Sequence, residues 1–133
     1  MQTPRTNTLS GVVGSIATTV DAAAGGRVLV FGSLPPQGRD LDVLAHTAQR
    51  EAIVAALAGD GLLTKNGSRW VGFADCTAAG VDLVDAAEWH LPEHELLSLF
   101  EEARVLAGFT HLAAPAAHHA LLIAARRVAR AGR

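Results

Sequence analysis

Two segments constrain this chain's fold more than anything else in it: Asp40-Leu41-Asp42-Val43-Leu44 and Gly80-Val81-Asp82-Leu83-Val84-Asp85. In both, polar and apolar residues alternate. Successive side chains of a strand point to opposite faces of a sheet, so this pattern specifies a half-buried strand. Leu41 and Val43 must face a core, and Asp40 and Asp42 must share the other face. Val81 and Leu83 face inward in the same way, with Asp82 outward. Asp85, a second choice as third carboxylate, falls on the face away from Asp82 by the same alternation.

The elements around these strands read as follows. Ser10 caps a helix with the apolar spacing Val12/Val13, Ile16, Val20, Ala24, ended by Gly25-Gly26. Arg27-Val28-Leu29-Val30-Phe31 is rich in strand formers and reads as a buried strand, broken by Gly32-Ser33. Thr47 caps a helix reaching Ala58, with Ala52, Ile53, Ala56 and Leu57 as its stripe. Asn66-Gly67 between two apolar runs predicts a hairpin. Residues 74–80 read as a loop. Pro92 occupies a first helical position, with Glu93 and Glu95 in the favourable first turn. That helix carries Leu96, Leu99, Phe100, Ala103 and Ala107 up to Gly108. Pro115 opens a last helix with Leu121, Leu122, Ala125 and Val128 inward. The expected fold class is therefore α/β of the α+β type: a small mixed sheet with helices packed on one face. One domain spans residues 1–133, with a core over about 10–91 and a C-terminal helical pair over about 92–131.

Composition narrows the function. The chain has 133 residues, enough to bury a core without disulfides. Hydrophobic residues make up 50% and mean hydropathy is +0.26, which excludes disorder. No apolar run approaches a membrane span. A net charge of −2 argues against a dedicated nucleic-acid partner. Gly11, Gly14, Ser15, Thr18 and Thr19 interrupt the early apolar stretch, so it reads as a helix rather than a secretory signal. With one cysteine, Cys76, the expected compartment is the cytoplasm. Charged residues are only 18%, so some apolar surface is expected to be covered by another chain or a further domain.

The constellation with chemistry in it is Gly32-Ser33 at a strand end, Asp40 and Asp42 on the next strand, and Asp82 on a later one. Carboxylates gathered on one face repel unless cations lie between them, and hard oxygen ligands suit magnesium. The Gly-Ser turn offers backbone N–H groups and a hydroxyl to phosphate.

These residues, Phe31-Gly32-Ser33, Asp40-Leu41-Asp42 and Val81-Asp82-Leu83-Val84-Asp85, resemble the nucleotidyltransferase superfamily that includes DNA polymerase beta. The likeness is greatest to small prokaryotic members, the minimal nucleotidyltransferases and antibiotic-modifying adenylyltransferases, and covers about residues 10–86. It implies a nucleotidyltransferase-like fold and transfer of a nucleoside monophosphate from an NTP, with ATP the expected donor, to a hydroxyl acceptor. It implies that Asp40 and Asp42 bind two Mg2+ (or Mn2+) ions, and that Asp82 binds one and helps activate the acceptor. Gly32 and Ser33 would hold the terminal phosphates. The chain departs from the family in the short stretch between Ser33 and Asp40, six residues including Pro35-Pro36. Phosphate binding then rests on Arg39, with Lys65 or Arg69 from the hairpin. Larger members carry a second, acceptor-binding domain, for which the two helices expected after residue 91 are too little, so a homodimer mate or a helical partner chain is expected to complete the site. The alternative is a catalytically degenerate module of this fold serving nucleotide sensing or assembly, including half of a toxin–antitoxin pair.

Other reactive residues read as structural. His90 and His94 lack the H-E-x-x-H order of a zinc helix. His118 and His119, as neighbours on a helix, are expected to point about 100° apart and not to chelate together. Cys76 has no nucleophile signature around it and is expected to be inert.

Overall fold

The computed structural model describes residues 11–31, 40–74 and 77–131. Chain order is α1 (Gly11–Ala23), β1 (Val28–Phe31), β2 (Asp40–Ala45), α2 (Thr47–Gly59), β3 (Leu63–Thr64), β4 (Arg69–Ala74) and β5 (Thr77–Asp85). A short 3-10 turn (Ala86–Trp89) leads to α3 (Glu93–Glu101), β6 (Arg104–Val105) and β7 (Leu112–Ala114). A second 3-10 turn (Ala117–His119) opens α4 (Ala120–Ala131). The strands form one mixed sheet in the order β3-β4-β5-β2-β1-β7-β6. The β2–β5 and β1–β7 pairs are parallel and the others antiparallel. This is the α+β class expected from the alternating strands.

The inward residues form the main core on one face of the sheet. Leu41, Val43, Val81 and Leu83 pack with Val28 and Val30 of β1 against Ile16, Ala17 and Val20 of α1 and Ile53 and Leu57 of α2. All are buried. Helices also reach the opposite face. There Leu29, Phe31, Leu44 and Val84 lie under Trp89, Leu99 of α3 and Ile123 of α4. Phe31 and Trp89 meet edge to face, centroids 5.7 Å apart. Helices therefore cover one end of the second face as well, and the carboxylates occupy only the remainder.

Several local expectations are corrected. His46, not Thr47, caps α2: its Nδ1 accepts from Ala48 N–H at 3.2 Å. The Thr47 hydroxyl instead donates to Asp85 Oδ1 at 2.6 Å. Most of the expected 74–80 loop is strand, since β4 runs to Ala74 and β5 begins at Thr77. The helix expected to reach Ala107 ends at Glu101, and β6 and β7 follow it. Residues beyond 91 thus hold two short strands as well as helices, and β7 lies beside β1 within the sheet. Leu121, expected inward, is 84% exposed, and the buried residue of that turn is Ile123. Ser10 and Cys76 lie outside the described residues. No helix among the described residues is long and apolar enough to cross a membrane.

Candidate functional site

Strand register sets the acidic face in rows. The lowest row, Leu29–Leu44–Val84, is apolar and lies under α3 and α4. The next row runs across four strands: Phe31 of β1, Asp42 of β2, Asp82 of β5 and Arg69 of β4. Asp42 and Asp82 are paired directly across two parallel strands, whose backbones lie about 4.8 Å apart. Both are half-buried. Asp40 stands one pleat further along β2, in register with Gly80.

Alternation puts the two aspartates on this face, and the hairpin brings Arg69 to them. Asn66 Oδ1 accepts from Ser68 and Arg69 N–H at 2.9 and 3.0 Å. The Gly67 carbonyl accepts from Arg50 Nη2 at 2.8 Å and from Trp70 Nε1 at 3.0 Å. Leu83 N–H donates to Ser68 O at 2.7 Å. So held, Arg69 Nη1 donates to Asp82 Oδ2 at 3.3 Å, with side chains 41% and 44% exposed. A pair this wet contributes about 1 kcal/mol or less, so it orients Asp82 without locking it.

Of the residues expected to act, Asp42 and Asp82 are brought together, and Asp40 joins them at its register position. Gly32, Ser33 and Arg39 lie outside the described residues. Phe31, the last residue of β1, ends that strand opposite Asp42. Lys65 is exposed at the hairpin tip. Asp85 works elsewhere: Oδ1 accepts from Ala87 N–H at 2.9 Å, capping the 3-10 turn, and from Thr47. His90 ends that turn in a left-handed conformation, φ 53°.

A second cluster contradicts the expectation that His118 and His119 diverge. Their rings lie 4.2 Å apart, both beside Glu102 at the end of α3. His118 Nε2 is 2.6 Å from Glu102 Oε1, and His119 Nε2 is 3.8 Å from the same oxygen. Ser98 Oγ donates to Glu102 Oε2 at 2.9 Å. Hydrogen bonds from Ser98 and His118, helped by the neighbouring histidine charges, hold the Glu102 carboxyl below the ordinary range. Successive residues of a helical turn do diverge at the backbone, but both imidazole rings swing toward Glu102, which comes from a distant element. Sequence spacing carries no sign of that meeting.

No family model, curated protein or solved structure matches this chain.

Proposed function

We propose that this protein is a metal-dependent nucleotidyltransferase moving a nucleoside monophosphate from an NTP, ATP in the first instance, to a hydroxyl acceptor. The observation that carries the reading is Asp42 beside Asp82 on paired parallel strands, with Asp40 one pleat away. The donor set fits Mg2+ or Mn2+. It consists of carboxylate oxygens, Asp42 and Asp82 are only half-buried, and Arg69 offsets part of its negative charge. Asp40, Asp42 and Asp82 would hold the ions, which when bound would neutralise phosphate charge and favour the ionised acceptor hydroxyl.

The reaction forms a bond from the acceptor oxygen to the α-phosphorus. It breaks the bond from that phosphorus to the bridging oxygen, so pyrophosphate leaves. In this reading Asp82, oriented by Arg69, stands on the acceptor side and takes up the hydroxyl proton. Arg69 and Arg39 offer cationic partners to the triphosphate, and Gly32 and Ser33 cradle its end. The cytoplasm, with its nucleotide pool, is the proposed site of action, and a second copy or a helical partner chain would complete the acceptor side.

Calorimetry tests this reading. ATP should bind with a dissociation constant of about micromolar order in Mg2+ or Mn2+, and lose that binding in EDTA or in the Asp42→Asn variant. Absence of binding to wild type at millimolar ATP would overturn the enzyme reading. It would favour instead the non-catalytic module, for which the Arg69–Asp82 pair would be a permanent neutralisation of the acidic row.

A further inference from the structure

We infer that Glu102, His118 and His119 form a site for one zinc-type dication, distinct from the carboxylate row, that pins the start of α4 to the end of α3. The three ligand atoms lie within 4.8 Å of one another. Two imidazoles and one carboxylate are a borderline donor set that selects zinc and its neighbours over magnesium. The acidic row, all oxygen, has the opposite preference.

The spacing suits a tetrahedral ion. Ligands at about 2.0–2.2 Å from zinc stand roughly 3.3 Å apart. Glu102 Oε1 lies 2.6 Å from one Nε2 and 3.8 Å from the other, so the observed distances bracket that value. Glu102 and His118 are exposed and can shift to close the site around the ion. Ser98 occupies Glu102 Oε2 and turns Oε1 toward the histidines. Such supporting hydrogen bonds are how proteins orient metal-binding carboxylates.

The state of His119 is the independent observation. Its side chain is only 12% exposed. Nδ1 is buried without a hydrogen-bond partner, and Nε2 is too far from Glu102 for a hydrogen bond. A buried imidazole with neither nitrogen bonded is costly and calls for a reason. A metal on Nε2 gives that nitrogen the partner that Glu102 at 3.8 Å does not, and fixes the proton on Nδ1. His118, 66% exposed, closes the cluster from the solvent side. The fourth position faces water, as in zinc sites with three protein ligands.

Zinc titration of the EDTA-treated, dialysed full chain, against a chromophoric chelator, tests the site. One Zn2+ per chain should bind at micromolar affinity or tighter, with excess Mg2+ failing to compete. His118→Ala and Glu102→Gln should each weaken binding at least about tenfold, and Ser98→Ala by up to about tenfold. Zinc should raise the melting temperature of wild type and leave that of His118→Ala unmoved. Because His118 is exposed, that variant should melt like wild type in EDTA, which separates lost ligation from lost folding. Asp42→Asn should bind zinc as wild type does. Zinc affinity unchanged in both His118→Ala and Glu102→Gln would overturn the proposal, as would failure of wild type to bind zinc at submillimolar concentration.

Discussion

Asp21 belongs to α1 by sequence and to the C-terminal strand by its bonds. Its Oδ1 accepts from His111 N–H at 2.6 Å and Leu112 N–H at 2.8 Å, and its Oδ2 from Thr110 N–H at 3.0 Å. His111 Nδ1 donates back to the Asp21 carbonyl at 3.0 Å. Burial pushes this carboxyl upward, but the three N–H bonds and the nearby His111 outweigh it and hold it below its ordinary 3.8. Asp21→Ala strands those donors and should cost roughly 3 kcal/mol in urea unfolding. A depressed native value means that the Asp21 contribution is full above the ordinary 3.8 and is lost as pH falls through the native value. The stability gap between wild type and variant should therefore close at low pH; a gap that persists there, or that is absent at pH 7, would show the carboxylate bonds to be idle. This residue was not legible in the sequence. An acid at the end of an amphipathic helix reads as solvated, and its partners lie some 90 positions away. Asp42 and Asp82 were legible because strand alternation is local, and two copies of it suffice to put both on one face. Their in-register meeting needed the β2–β5 pairing, which no local pattern encodes.

At the scale of elements, the misread segment is 102–114. Leu96, Leu99, Phe100 and Ala103 keep helical spacing, and Leu99 and Ala103 are indeed buried, so the periodicity was real. At the end of the helix Arg27, from the turn before β1, donates to the carbonyls of Phe100 and Glu101, capping a helix end where cations are favoured. Gly108, φ +87°, then lets the chain turn back so that β7 can join β1. Strands of two and three residues are too short to show a period of their own. The Asn66-Gly67 hairpin, by contrast, was legible because the turn chemistry is specific. Gly67 has φ +80°, and an added Cβ would come no nearer than 3.6 Å to Arg50 Nη2. The penalty of Gly67→Ala is therefore conformational, about 1–2 kcal/mol. The urea midpoint should fall accordingly, and ATP affinity should fall with it if Arg69 is placed by this turn. An unchanged midpoint would mean that the turn tolerates a left-handed alanine at no cost.

Across the whole molecule, the sheet joins what the sequence divides. A boundary near residue 91 was natural on paper, since every residue of the acidic constellation lies before it and the later segments read as helices. The structure places β7 alongside β1, in register Val28↔Leu112 and Leu29↔Ala113. Leu99, Ala103, Ala113 and Ile123 then complete the second core over Leu29, Phe31, Leu44 and Val84. Removing residues 92–133 would leave β1 an edge strand with unpaired backbone groups. It would also uncover the apolar row that adjoins Asp42 and Asp82. Burial of Leu99 and Ile123 alone is of the order of 1.5–3 kcal/mol each, a large part of the net stability of a domain this size. The 1–91 fragment should accordingly show collapsed amide dispersion and no cooperative melt, whereas the full chain should unfold in one transition by both far- and near-UV signals. A fragment that melts cooperatively with dispersed amides would establish that α1 to β5 fold alone. The C-terminal third would then be an addition to the acidic face rather than half of the core that supports it.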